Sequence, residues 1–126
     1  MSRLKAFNQL ALENSYLDFP EHFYHRVKPR GLKSAHLISF NPDVAAVLDL
    51  DPCSVLPSDL ARFFGGGDIL PGSEPLAMKY GGHQFGQYNP DLGDGRGLLL
   101  GEIVNHKGER WDLHLKGSGK TAYSRF

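Results

Sequence analysis

Gly93-Asp94-Gly95-Arg96-Gly97 sets three glycines at alternate positions around one acid and one arginine. Alternate glycines leave a backbone unobstructed, so that its N–H groups can face an anion. Arg96 adds a permanently charged fork matched to phosphate oxygens. The same residues also read as a tight turn whose glycines only supply unusual backbone angles, because short Gly-rich loops are common. Lys116 shifts the balance toward phosphate. It ends an alternating run, Glu109–Lys116, in which Trp111, Leu113 and Leu115 face one way and Arg110, Asp112, His114 and Lys116 the other. The apolar run Gly97–Val104 precedes it across an Asn105-His106-Lys107-Gly108 turn, which predicts a β-hairpin with one buried face. In an antiparallel hairpin the start of the first strand lies beside the end of the second, so Gly93–Arg96 and Lys116 come together. A Gly-rich turn, a strand, a reversal and a strand carrying a lysine is also how protein kinases grip ATP phosphates. The plainer role for Lys116 is an edge lysine extended into solvent.

Three other constellations carry less. Gly117-Ser118-Gly119-Lys120-Thr121 spells the second half of a Walker A loop, but position 114, where the first glycine belongs, is His114. The strand before it alternates and no helix core follows, so a P-loop NTPase fragment is only an alternative. Tyr80-Gly81-Gly82-His83-Gln84-Phe85-Gly86-Gln87-Tyr88 could expose His83 for proton transfer, but no nucleophile with a supporting carboxylate accompanies it. A packed loop held by His83 and Gln84 is the expectation there. Asp91 and Asp94 are too few to chelate a metal, and Asp94 is expected to shape the glycine turn. His22 and His25, three apart, lack an acidic or cysteine partner.

The elements that must position these residues are short. Phe7, Leu10, Ala11 and Tyr16 have roughly helical spacing, but Pro20 and Pro29 leave residues 1–34 irregular. Tyr24–Arg30 is basic and extended, and reads as a solvated arm. Ala35–Phe40 reads as a strand. Asn41-Pro42-Asp43 opens a helix with Val44, Val47 and Leu48 on its apolar face, ending near Leu50. Pro57-Ser58-Asp59 opens another, with Leu60, Phe63 and Phe64 on one side and Gly65-Gly66-Gly67 as its stop. Pro71–Pro75 is loop. The fold class is α+β, and 126 residues imply one domain spanning 1–126.

Lys+Arg and Asp+Glu both number 14, so bulk charge points to neither nucleic acid nor a membrane surface, and a basic site must be local. No stretch approaches a membrane-spanning length, and Met1–Leu12 does not read as a signal peptide. The one cysteine, Cys53, has no internal partner, which fits a reducing, cytoplasmic setting.

Pro75-Leu76-Ala77, Tyr80-Gly81-Gly82-His83-Gln84-Phe85-Gly86, Pro90, Leu92–Arg96, Leu100-Gly101-Glu102, Leu115-Lys116-Gly117 and Tyr123-Ser124-Arg125 together resemble the SelO/YdiU family. The match runs in order over residues 35–126. That family consists of kinase-like proteins that transfer AMP from ATP to protein hydroxyls. The resemblance implies that this chain is the N-terminal part of a protein-kinase-like fold. It implies ATP-binding roles for Gly93, Gly95, Arg96 and Lys116, the last as counterpart of the kinase strand lysine. It further implies ATP bound flipped, with its α-phosphate toward a Ser, Thr or Tyr acceptor, and Mg²⁺ or Mn²⁺ as the metal. Family members are several times longer, so the catalytic aspartate, the metal-binding Asn and Asp, the helix glutamate and the further arginines are expected after Phe126, in a C-terminal lobe. By itself the chain is expected to be inactive. One departure is local: the family usually has Pro near position 120, where this chain has Lys120. Two other readings stay open, a non-catalytic nucleotide- or phosphate-binding module and a structural domain whose glycines only make turns.

Overall fold

The computed structural model describes residues 4–124. Arg125, part of the resemblance, and residues 1–3 lie outside them. The fold is α+β. Two helices, α1 (Pro42–Val47) and α2 (Pro57–Phe64), accompany a five-stranded antiparallel sheet of β1 (Tyr24–Arg26), β2 (Leu76–Gln84), β3 (Gln87–Gly93), β4 (Gly97–Val104) and β5 (Arg110–Lys116). Among the described residues no helix is long and apolar enough to cross a membrane.

Both helices start where their local chemistry directs. The Asn41 side chain accepts the Asp43 N–H at 2.9 Å and Pro42 fills the first position of α1. Pro57 does the same for α2, and the chain leaves it through Gly66, at φ +83°, a conformation that a side chain disfavours. α1 stops at Val47, short of Leu50. It buries Ala45 and leaves Val44 half exposed, while Leu48, which caps it, is buried as expected just past its end.

β2 organises the sheet. Its first residues pair with β1 through Tyr24↔Met78 and Arg26↔Leu76. On the other edge Leu76 pairs with Leu99 of β4, while Lys79↔Gly93 and Tyr80↔Leu92 join β2 to β3. β3 and β4 therefore follow one another along the same edge of β2, with a bulged excursion over Asp94–Arg96 between them. β4 pairs with β5 from Gly97↔Lys116 to Val104↔Arg110, with a register shift at Leu100.

The core lies against one face of β4 and β5. Leu100, Ile103 and Leu115 meet Phe7, Leu10, Ala45, Leu48, Leu50, Leu60 and Leu70. Each buried leucine contributes ~1.5–3 kcal/mol relative to exposure, which is what holds the short helices on the sheet. The predicted hairpin is present, with Leu113 and Leu115 facing inward, but Trp111 is 43% exposed, beyond the reach of the core.

Three expectations are corrected. Ala35–Phe40 has strand composition but no strand edge to pair with; it is irregular, with Ile38 89% exposed. Tyr80–Tyr88 is not a loop but the meeting of β2 and β3 around a two-residue Phe85-Gly86 turn, both at positive φ. His83 there is exposed, its ring 5.4 Å from that of Tyr88. The Tyr24–Arg30 arm is partly β1, an edge strand paired with β2 that includes His25.

Candidate functional site

Gly93–Gly97 is the bulged link between β3 and β4, and its glycines serve close approach. None of Gly93, Gly95 and Gly97 has a positive φ. A Cβ on Gly93 would stand 2.6 Å from the Tyr123 ring, and one on Gly97 would collide with the His114 ring. Gly95 is the open one, its nearest neighbours 3.7 Å away. Residues 121–124 clasp the link from outside: the Thr121 hydroxyl donates to the Asp94 carbonyl and the Ser124 hydroxyl to that of Gly95. The Asp94 N–H donates to the Met78 carbonyl at 2.9 Å, and the Arg96 carbonyl accepts the Gly117 N–H at 2.9 Å. Among the described residues, the N–H groups of Gly95 and Arg96 find no acceptor. Two adjacent free donors beside a guanidinium suit an anion.

Asp94 shapes this link, as expected, and it does so from a buried position. Its Oδ2 accepts the Met78 N–H at 3.0 Å and lies 3.2 Å from His114 Nε2. Asp91 is elsewhere, exposed and 3.6 Å from Lys79 Nζ. Among the described residues no three His, Cys, Asp or Glu side chains group as metal ligands.

Lys116 stands opposite Gly97, one residue from Arg96, exposed on the face away from buried Leu115. The hairpin register thus places the strand lysine and the glycine link side by side. Beyond it, Gly117–Thr121 continues as bends and coil, with Gly117 at φ +93° and Gly119 at φ +103°, and no helix follows among the described residues. The Walker spelling has no Walker geometry.

Two recesses flank Arg96. One, about 510 Å³, is lined by Gly93 and Gly95 with Tyr80, Asn89, Asp91 and Tyr123. The other, about 450 Å³, is lined by Lys28, Arg30, Gly117–Lys120 and again Arg96. Lys116 borders neither recess. Gly93, Gly95 and Arg96 are together in the first, and Arg96 alone of the four expected site residues reaches the second. Sequence reasoning did not connect Lys28 and Arg30 to the site. The only signal was the basic composition of the arm, which resembles any solvated surface.

Residues 6–126 match the family described as Protein adenylyltransferase SelO. The chain is 58% identical over 125 residues to the Protein nucleotidyltransferase YdiU of Hahella chejuensis, an alignment covering 99% of this chain and 25% of the relative. It is 52% identical over 122 residues to the protein of the same name from Photobacterium profundum, covering 97% of this chain and 24% of that relative. The chain therefore spans about a quarter of the length of the curated relatives it matches. With nearly its whole length matched in sequence, the chain belongs to the SelO family of protein nucleotidyltransferases.

Proposed function

We propose that this chain carries the ATP-gripping part of a protein adenylyltransferase, with the β-sheet serving as the N-terminal lobe of a kinase-like fold. The observation that carries the reading is the pairing of Gly97 with Lys116, which sets Lys116 next to Arg96 and its free N–H groups. Arg96 offers a planar two-pronged donor for phosphate oxygens, and Lys116 a compact mobile charge. The Gly95 and Arg96 N–H groups add fixed dipoles that need no reorganisation when charge develops on phosphorus. In the reaction proposed, a protein Ser, Thr or Tyr hydroxyl attacks the α-phosphorus of ATP and pyrophosphate leaves. The described residues present no metal-ligating cluster, so Mg²⁺ or Mn²⁺ would be held by other parts of the enzyme.

Calorimetric titration with ATP tests the reading. Arg96→Ala and Lys116→Ala are each expected to weaken binding about tenfold, the effect of losing one charge-assisted contact. Unchanged affinity in both variants would remove these residues from the site. On the same reading the 126-residue chain binds ATP without transferring AMP, so incubation with labelled ATP, Mn²⁺ and a protein acceptor should leave the acceptor unlabelled. Robust labelling would place the catalytic groups within this chain.

A further inference from the structure

We infer that the second recess beside Arg96, walled by Lys28, Arg30 and Lys120, is a polyphosphate subsite that takes the terminal phosphates of the nucleotide. The inference rests on the nucleotide reading above and extends it to three cations outside the glycine link.

Among the described residues the recess has four cationic side chains and no carboxylate on its walls. Some cations elsewhere are paired with carboxylates: Arg26 lies 3.4 Å from Glu74, Arg62 3.3 Å from Asp59, and Arg110 3.2 Å from Glu13. Among the described residues Lys28, Arg30, Arg96 and Lys120 take part in no ion pair. Gathering four like charges without a counter-charge raises the energy of the empty site and makes it strongly attractive to a multivalent anion.

The gathering is built into the backbone. Arg30 N–H donates to the Ser118 carbonyl at 2.8 Å, Leu32 N–H to Gly65 at 2.9 Å, and Gly117 N–H to Arg96 at 2.9 Å. Three glycines permit these approaches. A Cβ on Gly66 would stand 2.7 Å from the Arg30 carbonyl oxygen, one on Gly31 3.1 Å from the Gly67 Cα, and one on Gly119 3.1 Å from the Arg30 Cβ. Ser118, at the centre of these contacts, is buried. The arm, the glycine run after α2, the segment after β5 and the β3–β4 link therefore converge on one recess.

The two recesses divide the ligand by chemistry. Among the described residues the first has two tyrosines and a carboxylate on its walls beside the Arg96 guanidinium, surroundings suited to the base and sugar. The second, about 450 Å³ with Lys28, Arg30, Arg96 and Lys120 as its charged lining among the described residues, suits phosphates. Arg96, shared by both, is where the chain of phosphates would cross. Of the four cations in the second recess a monophosphate reaches Arg96 only; a triphosphate reaches Lys28, Arg30 and Lys120 as well.

The test is calorimetry on the 126-residue chain with ATP, AMP and inorganic pyrophosphate at one low ionic strength. The triple variant Lys28→Ala/Arg30→Ala/Lys120→Ala is expected to lose about tenfold or more in affinity for ATP and pyrophosphate. Its affinity for AMP should stay that of the parent. Circular dichroism checks its fold, and Lys120→Gln alone, at an exposed side chain, should still cost pyrophosphate several-fold, with Lys120→Arg restoring it. If the triple variant binds pyrophosphate and ATP like the parent, the subsite is wrong while the nucleotide reading stands. If the parent binds pyrophosphate through these residues but not ATP, the subsite stands and the nucleotide reading falls. Binding of neither ligand by the parent overturns both.

Discussion

The imidazole of His114 closes over Gly97. A Cβ at that glycine would overlap the ring's Cε1 and stand 3.3 Å from both ring nitrogens, while Nε2 reaches Asp94 Oδ2 at 3.2 Å. The glycine link is thereby fixed from beneath by one imidazole, itself carried on β5 two residues before Lys116. The same strand sets both the support of the link and its cation.

Gly97→Ala is expected to push His114 off Asp94 and cost ~1–3 kcal/mol, the usual range for overpacking. Urea denaturation would read this as a lower midpoint with an unchanged slope. Repeating the substitution in a His114→Ala background removes the obstacle, so the cost there should be markedly smaller. Equal costs in both backgrounds would mean that the ring is not what Gly97 accommodates.

Gly93 and Gly95 should separate stability from binding. Gly93 is covered by the Tyr123 ring, so Gly93→Ala is expected to displace the 121–124 clasp and lower the melting temperature by several degrees. Gly95 has room for a methyl group and no positive φ, so Gly95→Ala should melt near the parent. Its added methyl would stand beside the free N–H groups and weaken ATP binding. The opposite assignment, Gly95 destabilising and Gly93 silent, would contradict the geometry of the link.

Much of this was legible in the sequence because the signals were local. Pro42 and Pro57 marked helix starts, Asn41 a cap, and the alternation from Trp111 to Lys116 a strand with a lysine at its end. The adjacency of Arg96 and Lys116 followed from hairpin pairing alone. The β2–β3 hairpin was hidden because Tyr80–Gln84 carries two glycines and polar side chains, and because its turn uses Phe85 at φ +54°, where Asn or Gly would announce it. Ala35–Phe40 misled in the other direction, since strand composition cannot report the absence of a neighbouring edge. The basic recess was illegible for a tertiary reason. Arg30 reaches Ser118 only because Gly66 and Gly119 leave space, and those contacts join residues far apart in the chain.

Asn105 should prove more than a turn residue. It is buried, its Nδ2 donates to the Val47 carbonyl and to Glu109 Oε1 at 2.8 Å each, and its Oδ1 accepts the N–H groups of Lys107 and Glu109 at 3.0 Å. One side chain thus ties the end of α1 to the β4–β5 turn. Asn105→Ala leaves those groups without their partner and is expected to cost ~1–3 kcal/mol. Asn105→Asp, which keeps the acceptor but sets a second carboxylate against Glu109 and the Val47 carbonyl, should cost at least as much as alanine. Urea midpoints indistinguishable from the parent in both variants would show that the α1 tie is dispensable.

Tyr16 predicts how stability responds to alkali. Its ring lies 5.1 Å from Phe19 and 6.3 Å from Tyr24. Burial disfavours its phenolate and electrostatic interaction with Asp94 and Tyr123 adds to that, so its pKa lies above the usual 10.0. In the unfolded chain the phenol titrates near the usual value, so above about pH 10 the unfolded state binds fewer protons than the native state. Stability from this group is therefore fully present below that pH and falls as pH rises through the native pKa. Urea midpoints followed from about pH 8 to 11 should decline less steeply at the alkaline end in Tyr16→Phe than in the parent. Parallel declines would show that Tyr16 titrates alike in the native and unfolded states.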